Sequence, residues 1–343
     1  MTSSVHGVGE LIAYLPYNLG FVPRHSLVVI GLRGGRYCLT ARLDRPRGAD
    51  VAGVAEQVAT TFARCEPDEA LVLSYDGFGA ADRRFVLELG ELLRGISADI
   101  SHVLQVRDGV GRWRAEQCSC DRCPRGWAPV PPATDVAPVA ERVACGVAPA
   151  KRRADLALRL EVRHPAIARA VEARLTADES LPGDTARVLP AVLLDGPTPV
   201  HAVPVDVLAA ATQAVGSVQV RDQLLSWLMP DFLPGELTDV DAEVDPHHLG
   251  LPPMWLRELD SFDDPVAMVA RRLEEWVACI PPPRSVPVLM LLAGVRWVSG
   301  DGVLASIAVD RALELDRRCR LAHLFAQALQ AGLRPEGGGQ RPA

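Results

Sequence analysis

Three cysteines close together are the part of this sequence nearest to known chemistry. They form the pattern Cys118-x-Cys120-x2-Cys123. Zinc prefers four soft or borderline ligands in a tetrahedron, and thiolates in a tight turn can supply two or three of them. Cys145 or His102 could complete the set. We interpret the segment first as a reduced turn that holds no metal or cofactor, and keep a structural zinc site and a redox-active pair as alternatives.

A second polar group lies at the ends of two predicted strands. Arg24, His25 and Ser26 enter the first strand, and Asp44 ends the second. A histidine paired with a carboxylate could act as a base and activate Ser26 for nucleophilic attack. The sequence contains no G-x-S-x-G motif, which is the usual setting of such a serine in one large hydrolase class. A cross-strand ion pair or a ligand contact, with Arg24 as one ligand-binding candidate, is therefore the preferred interpretation.

Two more residues are ligand-binding candidates. Asp76 opens the turn 76–82 between a strand and a helix, where glycines would let backbone N–H groups approach an anion. A plain turn with Asp82 as the helix N-cap is the preferred alternative. Arg153 lies in an arginine-rich helical segment after Lys151 that could receive a phosphate or an acidic partner. A solvated helix face is the preferred interpretation of that segment.

The elements that must position these residues begin with a β-hairpin. Two apolar runs rich in β-branched residues, 27–32 and 37–43, flank a Gly-Gly pair. Glycine pairs favour the two-residue hairpin turns that need positive φ. The register that this turn sets, without irregularities, places His25 opposite Asp44.

The pattern of apolar residues predicts an α/β or α+β protein with two different halves. In the N-terminal part, the order strand, strand, helix, strand, helix, strand, strand indicates a mixed β-sheet with flanking helices. After residue 139 strand signals nearly vanish, and alanine- and leucine-rich helical patterns follow. The predicted organisation is an α/β domain at 1–123, a proline-rich connector at 124–150, a helical middle region at 151–262, C-terminal helical hairpins at 263–334 and a disordered tail at 335–343.

The most regular helical pattern lies near the C-terminus. Residues 292–316 resemble one tetratricopeptide-type helical hairpin, in which the small residues Ala305, Ala308 and Ala312 would let two helices approach closely. One such unit is fewer than the roughly three that a solenoid needs to bury its own face. We therefore expect the hairpin to pack on the rest of the protein and to offer a helical surface to a protein partner.

Segments along nearly the whole chain resemble an actinobacterial family, the domain of unknown function 4192. The resembling segments are residues 10–32, 39–44, 117–132, 218–222 and 297–333. The family usually carries cysteines in a C-x4-Cys-Cys-Pro arrangement, whereas this chain has Cys118-Ser-Cys120-Asp-Arg-Cys123-Pro124. The resemblance implies a cytoplasmic actinobacterial protein and brings no reaction, cofactor or ligand with it.

Composition and apolar patterning indicate which broad classes of protein this chain can belong to. The 343 residues are 48% hydrophobic and 23% charged, a mixture typical of a globular chain. Asp and Glu number 43 against 36 Lys and Arg, which argues against broad nucleic-acid binding. The longest apolar run, 286–295, is too short to span a bilayer, and the N-terminus lacks the pattern of a secretory signal. We therefore expect a cytoplasmic protein with reduced thiols, and we interpret the four dispersed cysteines as packing residues: Cys38, Cys65, Cys279 and Cys319.

No complete catalytic motif accompanies these candidates. The sequence thus favours a cytoplasmic, non-enzymatic binding or regulatory protein with a helical partner-binding surface. The alternative is a hydrolase- or transferase-type enzyme whose polar site lies at the ends of the first two strands, around His25, Ser26 and Asp44, with Arg24 and Asp76 nearby.

Overall fold

The protein is known from a computed structural model, which divides the chain into two compact units between Arg153 and Ala154. It describes residues 5–48, 50–107, 109–120, 122–144, 146–177, 181, 185–194, 197–229 and 265–333. Cys145, the predicted tail 335–343 and much of the predicted middle region beyond residue 229 lie outside the described residues.

The first unit contains a six-stranded sheet in the order β2-β1-β3-β4-β5-β6. Its strands are β1 (Ser26–Arg33), β2 (Arg36–Asp44), β3 (Glu69–Tyr75), β4 (Asp99–Arg107), β5 (Arg112–Cys118) and β6 (Ala128–Pro129). β3 and β4 are parallel and are joined through a helix, whereas the other neighbours are antiparallel. The predicted mixed sheet is therefore confirmed.

Helices cover the sheet of the first unit and make up the described part of the second. They are α1 (Val8–Leu19), α2 (Asp50–Ala63), α3 (Ala80–Arg94), α4 (Ala137–Ala144), α5 (Arg153–Ala157), α6 (Pro165–Thr176), α7 (Thr185–Leu193), α8 (Val205–Gly216), α9 (Val218–Leu228), α10 (Pro265–Val277), α11 (Val286–Val298), α12 (Gly302–Leu315) and α13 (Arg320–Gln330). The predicted helical C-terminal part is confirmed for the described residues.

Strand β1 is buried on both faces, since its four consecutive residues 27–30 have no exposed surface. Leu27 and Val29 of β1 belong to a core that includes Val51 and Phe62 of α2 and Phe85 of α3. Since successive strand residues point to opposite faces, the intervening β1 residues face the other side of the sheet. Helices α1 and α4, which were not predicted, pack together in a separate apolar cluster. α4 and the short strand β6 both lie in the segment 124–150, so this segment adds regular elements to the first unit.

The β1–β2 hairpin has the predicted turn but a different register. Gly34 and Gly35 adopt positive φ values of 57° and 74°, as a two-residue turn requires. Beyond the first two pairs, however, the register shifts by one residue. Asp44 therefore lies opposite Ser26, and the predicted pairing of His25 with Asp44 is wrong. The physical reason is a β-bulge, which inserts one extra residue into one strand of an antiparallel pair.

Glycine at position 31 is required by packing next to this bulge. A Cβ atom there would lie 2.9 Å from the Phe62 ring and 3.0 Å from Cys38 Sγ. We expect Gly31→Ala to destabilise the protein by about 1–3 kcal/mol, because the core must shift to admit the methyl group. Gly53→Ala is the matched control, since its Cβ would meet nothing within 4 Å in helix α2; it should stabilise by up to about 1 kcal/mol. Urea unfolding of both proteins measures the difference, and an equal response of the two would contradict the packing argument.

The C-terminal hairpin of the second unit is formed by α11 and α12. Ala305, Ala308 and Ala312 are fully buried, as the close approach of two helices requires. Trp297 of α11 makes an edge-to-face contact with Phe325 of α13, with ring centroids 5.5 Å apart. Within the described part of the chain, no helix is both long and apolar enough to cross a membrane.

Candidate metal centre

The antiparallel pair β4–β5 places the first two members of the cysteine cluster. His102 of β4 lies directly opposite Cys118, the last residue of β5. Directly opposed residues of an antiparallel pair project to the same face with Cβ atoms about 4.5–5.5 Å apart. His102 is 8% exposed, so its imidazole is largely shielded from water. The sheet therefore fixes one imidazole and one thiol side by side.

The chain after β5 turns back and brings two more thiols to this pair. Ser119 N–H donates to the carbonyl of Ser101 at 2.9 Å, and Ala115 N–H donates to the carbonyl of Pro124 at 2.8 Å. These bonds tie both ends of the segment that holds Cys120 and Cys123 to the sheet. Cys120 N–H also donates to Cys118 Sγ at 3.2 Å, a contact that favours a sulfur carrying negative charge.

The four ligand atoms lie close together, and two of the three distances from Cys120 Sγ match those of a tetrahedral site. Cys120 Sγ lies 3.1 Å from Cys118 Sγ, 3.6 Å from Cys123 Sγ and 3.6 Å from His102 Nε2. All four atoms lie within 4.8 Å of one another. Bond lengths of about 2.3 Å to sulfur and about 2.0 Å to nitrogen place tetrahedral ligands roughly 3.5–3.8 Å apart. Among the described residues, these four form the one group of three or more His, Cys, Asp or Glu side chains that could hold a metal ion.

A second set of polar groups orients the imidazole of His102. Its Nδ1 atom lies 2.8 Å from Ser101 Oγ and 3.7 Å from Glu69 Oε1. The Ser101 hydroxyl donates to that Glu69 carboxylate and can accept from Nδ1–H. This chain of hydrogen bonds favours the tautomer that leaves Nε2 unprotonated and directed at the cysteines. Metal-binding histidines in proteins are commonly oriented in this way by a carboxylate.

The pKa values of the thiols reflect their crowding. Hydrogen bonding to His102, and then to Cys118, lowers the pKa of Cys120 to about 6. Burial, followed by hydrogen bonds to the neighbouring thiols, raises the pKa of Cys123 well above its ordinary value. Three thiolates at this distance repel each other, so they ionise together only beside a cation.

One imidazole and three thiols are ligands that zinc prefers. Part of this ligand set could be identified from the sequence. The three cysteines were candidates from their spacing, and His102 was one of two candidates for the fourth ligand. Pairing of β4 with β5 places His102 in the cluster, and the other candidate, Cys145, lies outside the described residues. The supporting roles of Ser101 and Glu69 were missed, because nothing in their sequence positions relates them to the cysteines.

Three of the other predicted site residues line an open cleft at the opposite end of the sheet. The cleft has a volume of about 580 Å³ and is lined by His25, Asp44, Arg45, Arg47 and Asp76. His25 N–H donates to Asp76 Oδ2 at 3.2 Å, and His25 Nδ1 lies 4.0 Å from the same oxygen. Both residues have left-handed backbones, with φ values of 46° and 62°. Such strain in non-glycine residues is concentrated at functional sites.

The proposed nucleophile is not part of this cleft. Ser26 is fully buried, and its hydroxyl has no hydrogen-bond partner among the described residues. Asp44 pairs with Arg42 at 2.8 Å instead of with His25. The histidine instead meets Asp76, a residue predicted only as a ligand contact, because β1 and β3 pair antiparallel with Leu27 opposite Ser74, and the same register brings His25 to Asp76.

Arg45, which the sequence analysis missed, fixes the shape of the cleft. Its guanidinium donates to Asp82 at 2.6 Å and to the carbonyl oxygens of Tyr75 and Gly77 at 2.5 and 2.7 Å. Asp82 was predicted as the N-cap of α3, but the N-cap is Gly79, and the Asp82 carboxylate accepts from Gly79 N–H at 2.7 Å. Arg45 therefore holds the turn that carries Asp76.

The remaining candidates do not form a site with these residues. Arg24 lies against the β4–β5 turn, where a Cβ atom on Gly109 would be 3.1 Å from its Nη2 atom. Arg153 begins the five-residue helix α5, and Arg159 lies in the 3-10 turn that follows. The arginine-rich segment is therefore not one continuous helix face.

Comparison with known proteins identifies a family but no characterised relative. A family model described as a domain of unknown function, DUF4192, matches residues 9–336, nearly the whole chain. No curated protein matches the chain, and no solved structure matches it either.

Proposed function

We propose that this chain, which belongs to the DUF4192 family of domains of unknown function, is a non-enzymatic binding or regulatory protein whose first unit is stabilised by a structural zinc ion. His102, Cys118, Cys120 and Cys123 would hold the ion. The observation that carries the proposal is the convergence of these four ligand atoms within 4.8 Å of one another.

The number of protein ligands supports a structural role. Structural zinc sites are closed by four protein ligands, whereas catalytic sites use three and leave a position for water or substrate. One imidazole and three thiolates fill a tetrahedron completely. A zinc ion here would link β4, β5 and the returning segment after Cys118 without presenting a reactive water.

Metal analysis of the full-length protein tests the proposal. We expect one zinc per chain in protein purified under reducing conditions, and a cobalt-substituted protein with the strong visible and near-ultraviolet bands of tetrahedral cobalt-thiolate coordination. Cys319→Ser is the matched control and should retain the metal, because this cysteine lies at the start of α13 and is not one of the four candidate ligands. Absence of zinc after growth with added zinc would contradict the proposal, as would a cobalt spectrum of a site that contains an exchangeable water.

The proposal includes the cellular setting. Three thiols held together without a disulfide are expected in the reducing cytoplasm. The basic residues also support an actinobacterial source, since Lys151 is the sole lysine among 36 basic residues, a bias typical of GC-rich genomes.

The proposal also includes a protein partner on the helical unit. α11 is buried along most of its length, whereas Leu324 of α13 is 52% exposed. We expect Leu324→Glu to weaken capture of a partner from a native lysate, whereas Leu87→Glu, at an exposed position of α3 in the first unit, should not. Equal capture by both variants would remove the helical surface from the proposal.

A second candidate function is an enzyme that uses the cleft of the first unit. The favouring observation is the contact between His25 and Asp76, two left-handed residues at the same strand ends. An exposed imidazole whose Nδ1 atom lies 4.0 Å from a carboxylate could act as a general base in a hydrolase or transferase. Chromogenic ester and phosphoester substrates test this candidate. Turnover that falls more than tenfold in Asp76→Asn would support it, and turnover unchanged by the substitution would exclude it.

A further inference from the structure

Two cysteines outside the metal centre lie in direct contact. Cys38 belongs to β2, and Cys65 follows the end of α2, 27 positions later in the chain. Their Sγ atoms are 3.3 Å apart. A disulfide bond has a length of about 2.05 Å, so a movement of roughly 1.2 Å separates this contact from a covalent bond. The sequence analysis predicted both residues only as packing residues.

The β-bulge of the hairpin brings Cys38 to this position. Gly31 pairs with Leu39 and Leu32 with Tyr37, so Cys38 is the extra residue of β2. Leu39 faces the core beneath α2 and α3, and regular alternation would turn Cys38 to the opposite side of the sheet. The bulge interrupts this alternation. A Cβ atom on Gly31 would lie within 3.0 Å of both Cys38 Sγ and the Phe62 ring, which places the thiol on the side of α2.

The C-terminal end of α2 holds Cys65 equally firmly. Its N–H donates to the carbonyl of Phe62 at 3.0 Å, and its thiol contacts the same oxygen at 3.3 Å. Phe62 is fully buried in the core between the helices and the sheet. Both cysteines are only partly buried, so a small reagent can reach the pair. Two anchored, accessible thiols in contact are the geometry from which an intramolecular disulfide forms.

We propose that Cys38 and Cys65 are an oxidative modification site that a low-molecular-weight disulfide converts into an intramolecular disulfide. One protein thiolate attacks the small disulfide, forms a mixed disulfide and displaces one small thiolate. The other protein thiolate then attacks the protein sulfur of the mixed disulfide and releases the second small thiolate. The two protons lost by the protein thiols end on the two small thiols. The protein pair is oxidised by two electrons, and the small disulfide is reduced by two.

The bond would tie an edge strand to the helix that covers the sheet. Within the described residues, β2 is the terminal strand of the sheet and pairs with one strand, β1. A cross-link between residues 38 and 65 closes a long loop, and such a link stabilises the folded state mainly by restricting the unfolded chain. We expect the oxidised protein to melt roughly 5 °C or more above the reduced protein.

Peptide mapping of the full-length protein tests this proposal. The protein is incubated with oxidised glutathione, its remaining thiols are alkylated, and it is digested without reduction. We expect a cross-linked peptide pair that joins Cys38 to Cys65, lacks two hydrogens and disappears after treatment with dithiothreitol. Cys38→Ser should instead carry glutathione on Cys65, and Cys319→Ser should form the same cross-link as the wild type.

Several outcomes would overturn the proposal. Alkylation of both Cys38 and Cys65 in the oxidised wild type would exclude the bond, and so would separate glutathione adducts on the two residues. The mapping of the wild type decides the question even where a variant folds poorly. The test is independent of the zinc proposal, since neither cysteine belongs to the metal centre.

Discussion

We expect the Cys123→Ser protein to lose its zinc and to be less stable than the wild type by about 4 kcal/mol when free zinc exceeds the wild-type dissociation constant 1,000-fold. A ligand that binds only the folded state stabilises it by mass action. The variant no longer binds zinc and therefore lacks this stabilisation. Cys123 is the thiol that closes the tetrahedron after the chain has turned back, 3.6 Å from Cys120. Loss of this ligand should therefore also loosen the returning segment, which two backbone hydrogen bonds still tie to the sheet at its ends.

The loss of stability should be localised to the strands that carry the ligands. Hydrogen–deuterium exchange of the full-length protein should be faster in peptides from β4 and β5 of the variant, and a zinc chelator should cause the same change in the wild type. Cys319→Ser is the control and should respond to the chelator as the wild type does. If hydrogen exchange and unfolding of the wild type do not respond to the chelator, the zinc proposal is wrong. The segment is then a reduced turn that holds no metal.

We expect Arg45→Met to lower the free energy of unfolding by about 3–5 kcal/mol, since it leaves a buried carboxylate without its cation. The side chain of Asp82 is 3% exposed and lies 2.6 Å from Arg45 Nη1. The substitution also removes the donors to the carbonyl oxygens of Tyr75 and Gly77. The turn that carries Asp76 should therefore lose its fixed conformation, together with the contact to His25.

An exposed ion pair in the same unit is the control that separates the effect of burial from the effect of removing a charge. Arg33 and Glu66 lie 3.0 Å apart with exposed side chains, so Arg33→Met should cost at most about 1 kcal/mol. Adding Asp82→Asn to Arg45→Met should recover part of the loss, because the uncompensated charge is removed. Urea unfolding compares the four proteins. A cost for Arg45→Met as small as that for Arg33→Met would show that the buried pair does not hold the turn.

The β1–β2 hairpin shows which features the local sequence predicts and which it does not. The glycine pair at 34 and 35 set the turn, because only glycine adopts two successive positive φ values at little cost. The register beyond the turn depends on Cys38, which bulges out of the strand pairing next to Gly31 and Phe62. Phe62 belongs to a helix much later in the chain, so no local pattern could have predicted the shift.

Helix α1 was missed although its sequence carries a helical signal. Leu11, Ile12, Leu15 and Leu19 are buried and have the spacing of one helix face. Pro16 lies inside the helix and argues against one when the sequence is considered alone, because proline removes a backbone donor. The burial of this apolar face in the first unit outweighs that local preference.

The sequence by itself determined the mixed sheet with α2 and α3 in the first unit, the helical second unit and the three cysteines of the candidate metal centre, because each depends on local periodicity, turn chemistry or close spacing. Tertiary structure alone decided that His102 joins those cysteines, that His25 meets Asp76, that Ser26 is buried and that Cys38 touches Cys65. These contacts join residues from different elements. They depend on strand register and on single-residue bulges, which packing across the sheet fixes and local sequence does not encode.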